Sequence, residues 1–170
     1  MLASLVLLSS LAVAGPRTEV GDTKVFGAGV QLGWPMTGTV KYFLSDNHGV
    51  SAHLGGWFAG LGWVELRGQY EMRVIEFADW KFADLGGYWN AGALFNKLFV
   101  PDYLYPNYAG RTVQVGICGG VGAEMRFKDV PAAVFAETDL RVYVYGPESG
   151  ALAGANNWGP AVAAGGRWYF

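Results

Sequence analysis

The stretch Val64-Glu65-Leu66-Arg67-Gly68-Gln69-Tyr70-Glu71-Met72-Arg73-Val74 alternates apolar or small residues with polar ones, without a break. Successive side chains of a β-strand point to opposite faces of the pleat. Val64, Leu66, Gly68, Tyr70, Met72 and Val74 therefore share one face, and Glu65, Arg67, Gln69, Glu71 and Arg73 share the other. A helix needs its apolar residues three and four apart, so the period alone selects a strand. The period does not say which face is hidden. A soluble sheet hides the apolar face and wets the charges. A strand that closes a barrel in a membrane does the reverse.

The same alternation recurs outward from this stretch. Val134, Ala136, Thr138, Leu140 and Val142 oppose Phe135, Glu137, Asp139, Arg141 and Tyr143. Val113, Val115, Ile117, Gly119, Val121, Ala123 and Met125 oppose Gln114, Cys118, Glu124 and Arg126. Val162, Ala164, Gly166, Trp168 and Phe170 oppose Arg167 and Tyr169. Strands are predicted at Lys24–Trp34, Met36–Ser45, Val50–Phe58, Trp63–Phe77, Phe82–Asn96, Thr112–Phe127, Ala132–Tyr145 and Trp158–Phe170. Between them lie short turns at Asp46–Gly49, Ala78–Lys81 and Lys128–Pro131, carrying turn formers or charge. The longest connections are Lys97–Arg111 and Gly146–Asn157, while those around Pro35 and Ala59–Gly62 are short. An even number of up-and-down strands brings both chain ends to the side of the short turns.

Charge decides which face is enclosed. The polar faces carry the acids Glu65, Glu71, Asp84, Glu124, Glu137 and Asp139 and the bases Lys41, Arg67, Arg73, Arg126, Arg141 and Arg167. Six acids meet six bases, as an enclosed centre requires, because a buried charge without a partner is costly. The apolar faces carry almost none; Glu76, at a strand end, is the exception and is expected at the water interface. Eight strands enclose a space that side chains just fill. The expected fold is all-β: an eight-stranded antiparallel up-and-down transmembrane β-barrel over residues 24–170, with a side-chain-filled polar lumen. The alternatives are a soluble, lipocalin-like binding barrel or another soluble β fold.

Composition agrees with this. Of 170 residues, 52% are hydrophobic and only 15% charged, against about a quarter charged in ordinary domains. Yet no apolar run reaches the about 20 residues of a membrane helix. Aromatic residues gather near the strand ends: Trp34, Phe58, Trp63, Phe95, Tyr143, Tyr145 and Trp158 at one end, and Phe43, Phe77, Trp80, Phe82, Phe127, Trp168 and Phe170 at the other. Such girdles suit the headgroup boundary. Gly27, Gly29, Gly33, Gly86, Gly92, Gly116, Gly120 and Gly122 fall on inward faces, leaving room for large neighbours.

The final strand, ending Gly165-Gly166-Arg167-Trp168-Tyr169-Phe170, resembles the terminal strand of bacterial outer-membrane barrels. From residue 24 onward the chain is similar in architecture to the OmpA-like transmembrane domains and the OmpX-like proteins. That resemblance implies that Trp168 and Phe170 belong to a C-terminal signal read by the barrel-assembly machinery, and that the short turns face the periplasm. The partners it implies are outer-membrane lipids and that machinery.

Met1–Ala14 reads as a secretory signal peptide, with small residues at Ala12 and Ala14 before Gly15. No Lys or Arg precedes its apolar core, so the true start is expected upstream of Met1. Residues 15–23 read as a polar periplasmic tether. The net charge of −2 and the absence of a Lys/Arg cluster argue against a nucleic-acid partner. Cys118 is the only cysteine, so no internal disulfide forms. Nothing points to assembly beyond a monomer.

Candidate chemistry is sparse. Gly27-Ala28-Gly29 and Gly116–Gly122 lack the following helix that a phosphate loop needs. Ser51 and His53 share the inward face of one strand, with Glu137 or Asp139 across the lumen, and are the weak candidates for catalysis. Some small outer-membrane barrels modify lipid A with Ser and His, but the deacylase order His-x-Ser is reversed here. The predicted strand direction also puts His53 in the periplasmic half. His48 reads as solvated in a turn. No metal site and no cofactor is implied. The loop Phe99–Tyr108, with Phe99, Tyr103, Tyr105 and Tyr108, is the outer-loop binding candidate; its other reading is a cover over the barrel mouth. The functional expectation is a non-enzymatic outer-membrane protein with a structural, surface-interaction or narrow-channel role. The alternative is a lipid A-modifying enzyme.

Overall fold

In a computed structural model the chain closes into one antiparallel barrel in which each strand pairs with its neighbour in sequence and β1 pairs with β8. The structure describes residues 20, 23–33, 35–57, 62–99, 113–146 and 158–170. The strands are β1 Phe26–Gly33, β2 Met36–Ser45, β3 His48–Trp57, β4 Gly62–Asp79, β5 Ala83–Phe99, β6 Val113–Phe127, β7 Ala132–Tyr145 and β8 Trp158–Tyr169. All eight predicted strands are present, and β2 and β7 have the predicted bounds. Closure removes the sheet edges, so every strand finds two partners for its backbone.

The barrel has two unlike ends. At the turn end lie the start of β1, the end of β8 and the connections 46–47, 80–82 and 128–131. At the loop end lie the ends of β1, β3, β5 and β7 and the starts of β2, β4, β6 and β8. The signal-peptide reading of residues 1–14, Trp34, Phe58, and Tyr103, Tyr105 and Tyr108 fall outside the described residues.

The orientation of the faces follows directly from exposure. Leu66, Val115 and Leu140 are 51%, 37% and 50% exposed, whereas Arg67, Glu137 and Arg141 are 1%, 4% and 8% exposed. Apolar side chains cover the outside of the barrel and ionic ones fill its centre. In a soluble fold that distribution would be reversed.

Several boundaries and placements differ from the sequence expectation. β5 runs on to Phe99, so Lys97 and Phe99 belong to a paired strand and not to the loop. His48 opens β3, opposite Met72, and is half-buried, not solvated in a turn. It sits on the outer face, where its Nδ1 hydrogen-bonds the Tyr70 hydroxyl, and Tyr70 packs on Trp89 with ring centroids 5.6 Å apart. Phe43 leaves the expected girdle. It is buried in the interior, its ring 4.7 Å from both the Lys41 Nζ and the Arg126 guanidinium. Of two shifts of register in β4, the one at Arg73/Ile75 turns the strand over and the one at Glu76/Ala78 turns it back. A bulge inserts one residue and so reverses the faces beyond it. Glu76 consequently pairs opposite inward Gly86 instead of ending an apolar face, and it stays exposed.

The end belts otherwise hold. Phe77, Trp80, Phe82, Trp168 and Phe170 are exposed at the turn end, with Trp80 stacked on Phe82. Phe26 and Tyr42 join them. Phe95, Phe99, Tyr145 and Trp158 are exposed towards the loop end. Tyr143 turns inward, where its hydroxyl accepts a hydrogen bond from Asn96.

Candidate functional site

The interior is the part of the molecule where chemistry concentrates. Eleven of the twelve ionic residues named from the sequence are buried, and Arg73 is half-buried. Each lies in at least one ion pair, and the pairs fall into two clusters along the barrel axis.

The cluster nearer the loop end centres on Arg67. Its guanidinium reaches Asp139, lies 3.0 Å from Glu137 and 3.9 Å from Glu65. Glu65 in turn accepts from Arg141 at 2.7 Å. Uncharged groups complete this knot. Asn90 donates to Asp139 at 2.9 Å and Tyr88 to Glu137 at 3.1 Å. Gln31 donates to Glu137 at 2.6 Å, and its carbonyl accepts from Thr37 at 3.1 Å and Arg67 at 3.0 Å.

The cluster nearer the turn end centres on Lys41, 2.8 Å from Glu71 and 3.0 Å from Glu124. Arg126 pairs with Glu124 at 2.9 Å, and Arg73 with Asp84 at 2.5 Å. Arg167 joins this cluster through Glu71 and Glu124. It donates to Thr39 at 3.1 Å, lies 3.7 Å from Glu71, and stacks 4.0 Å over the Phe135 ring. The Tyr169 hydroxyl donates to Glu124 at 3.2 Å. Buried charges need this degree of mutual satisfaction, because each unpaired ion would forfeit its hydration without return.

Glycine makes the packing possible. A Cβ on Gly27 would strike the Tyr169 ring, and one on Gly122 would strike Tyr88. A cavity at the turn end, bordered by Lys41, Glu71, Arg73 and Glu124, has a volume of about 10 Å³, the room one water needs.

Ser51 and His53 are brought together. The tautomer with its proton on Nδ1 donates to the Gln31 carbonyl at 2.7 Å and accepts from the Ser51 hydroxyl at 3.2 Å through Nε2. Neither Glu137 nor Asp139 touches the imidazole. Gln31 links it to Glu137, and Arg67 Nη2 lies 3.2 Å from Nδ1. His53 sits midway along β3, opposite Arg67, and not in the half nearer the turns. The order hydroxyl, imidazole and orienting amide is that of an activated nucleophile. Both residues are buried inside the ionic fill. Among the described residues no group of three or more His, Cys, Asp or Glu is arranged to hold a metal.

Sequence reasoning missed the uncharged part of this interior. Gln31, Thr37, Thr39, Tyr88, Asn90 and Asn96 are all buried, beside Gln69, which the alternation of β4 places inside. Their inward parity was the available signal. Trp168 and Phe170 are exposed beside the turn end, and Phe99 is exposed on the outer face.

No protein-family model matches the sequence, and no curated protein matches it. The fold does have a solved counterpart: the N-terminal β-barrel domain of OprF from Pseudomonas aeruginosa. The two share 17% sequence identity with a TM-score of 0.58, over 85% of this chain and 95% of that domain. At that identity the likeness is one of fold.

Proposed function

We propose that this chain is an integral outer-membrane β-barrel protein with a polar, side-chain-filled lumen and a non-enzymatic role, structural, surface-interacting or as a narrow channel. One observation carries the reading: the side chains are inside out relative to a soluble protein, with twelve ion-paired charges enclosed and aliphatic residues on the wall. Water would not tolerate that wall, whereas lipid matches it. The likeness of fold to the OprF barrel domain supports the same environment. On this reading Met1–Ala14 is removed on export, and the turn end with both termini faces the periplasm. Outer-membrane lipids cover the wall, and the assembly machinery reads Trp168 and Phe170. The protein works as a monomer. The loop following Phe99, with Tyr103, Tyr105 and Tyr108, is the place for contacts at the cell surface.

The test is fractionation of cell envelopes, followed by electrophoresis of boiled and unboiled samples. The protein is expected in the outer-membrane fraction and to shift in mobility on boiling. Recovery in the soluble fraction without a shift overturns the proposal. The Ser51–His53 hydrogen bond favours the enzymatic reading, which a second experiment addresses. Lipid A mass spectra from cells carrying the native chain or His53→Ala are expected to be the same. A modification present only with the native chain would establish the enzyme instead.

A further inference from the structure

Among the described residues, no hydrogen bond or ion pair joins the Arg73–Asp84 pair to the rest of the turn-end cluster. Arg73 nevertheless borders the same cavity of about 10 Å³ as Lys41, Glu71 and Glu124. Asn47 and Gly49 border it too, which puts it beside the turn between β2 and β3. Two of the groups around this cavity are unsatisfied. The Arg73 guanidinium is held by Asp84, 2.5 Å from Nη1, and it lies against Gly86, where a Cβ would run into Nε. Its Nη2 is buried and finds no acceptor. Glu71 is 2% exposed. Lys41 lies 2.8 Å from its Oε2. Its Oε1 is buried and finds no donor, with Arg167 Nη2 at 3.7 Å. One group lacks an acceptor and the other lacks a donor.

These demands select the ligand. An anion would satisfy Arg73 but face the carboxylates of Glu71 and Glu124. A cation would satisfy Glu71 but face Lys41, Arg73 and Arg126. A neutral molecule that both donates and accepts meets both needs, and the cavity has room for one the size of water. We propose that this cavity is the binding site of one structural water, which donates to Glu71 Oε1 and accepts from Arg73 Nη2. The water joins the Arg73–Asp84 pair to Lys41, Glu71 and Glu124, so that the turn-end cluster is a single network. Buried polar groups left without partners destabilise a fold, so the water is part of the native structure. The site lies within the lumen, and the proposal does not depend on what covers the outer wall.

The test begins with crystals of the full native chain, grown with bromide and diffracting well enough to show single waters. One peak of oxygen weight is expected, without a bromide anomalous signal and within hydrogen-bond distance of both Glu71 Oε1 and Arg73 Nη2. A bromide at the site, or no peak in reach of both atoms, overturns the proposal. Gly49, on the border of the cavity, provides a second test. A Cβ there would stand 3.2 Å from Lys41 Cε and from the Tyr42 carbonyl oxygen, a crowding that Ala and Ser share. Either side chain takes up the room of the water, but only Ser brings a hydroxyl that can donate and accept in its place. In urea unfolding of the protein in detergent, Gly49→Ser is expected to show a folding constant about tenfold above that of Gly49→Ala. Equal constants, or a more stable Gly49→Ala, overturn the proposal. If either variant does not fold, the crystal structure decides alone.

Discussion

Arg67 is the residue on which the interior most depends. It pairs with Asp139, Glu137 and Glu65 and also donates to Gln31. Truncating one member of a buried ion network leaves the others charged and unpaired. Arg67→Ala is therefore expected to lower stability by about 3–5 kcal/mol, measured by urea unfolding in lipid or detergent. A loss below about 1 kcal/mol would show that the cluster is hydrated enough not to need its centre. That Arg67 faces inward was legible from the alternation of β4. Which acids it meets was not, since Asp139 lies 72 residues away and arrives only when the barrel closes. Glycines make the same point. Gly68 has open space where a methyl group would sit, whereas a methyl on Gly92 would run into the Gly68 carbonyl. Gly68→Ala is expected to be neutral or to stabilise by up to about 1 kcal/mol. Gly92→Ala is expected to destabilise by more than about 1 kcal/mol. Equal effects in a thermal unfolding series would contradict this difference. Alternation already sets Gly68 on the apolar face and Gly92 on the inward one; how close the next strand comes to each is decided only by the pairing.

Among the elements, β4 and β7 were the most readable, because each keeps strict alternation over a long run. The end of β4 was not. Its two register shifts carry no signature in composition, so Glu76 read as the flaw of an apolar face when it lies opposite Gly86. The extended β5 escaped notice because Lys97 looks like loop chemistry, though its backbone pairs with Val64 and Val113. The outer face supplies the prediction at this scale. Leu66→Arg puts a cation in the middle of the proposed lipid wall and is expected to cost about 2–4 kcal/mol. Phe77→Arg, near the turn-end belt, is expected to cost no more than about 1 kcal/mol beyond the lost ring. Refolding titrations into vesicles measure both. If the two substitutions cost the same, the wall has no apolar centre.

For the whole molecule, closure decides what the parts can do. The ionic fill leaves a turn-end cavity of about 10 Å³, and Arg167, stacked on Phe135 and paired with Glu71 and Glu124, adds to that fill. Planar-bilayer recordings of the purified protein are expected to show small conductance or none; a large, steady conductance would show that the fill is displaced. The strand count, the inward and outward sets, and the balance of six acids with six bases were all present in the linear chain. A period of two and a matched charge inventory are local and additive properties, independent of which strand neighbours which. The pairing of Arg67 with Asp139, the link from His53 through Gln31 and the inward turn of Phe43 were settled only in three dimensions. Each depends on groups from strands far apart in sequence meeting across the bore. Those meetings are set by the stagger between strands and by bulges, which alternation along one strand does not encode.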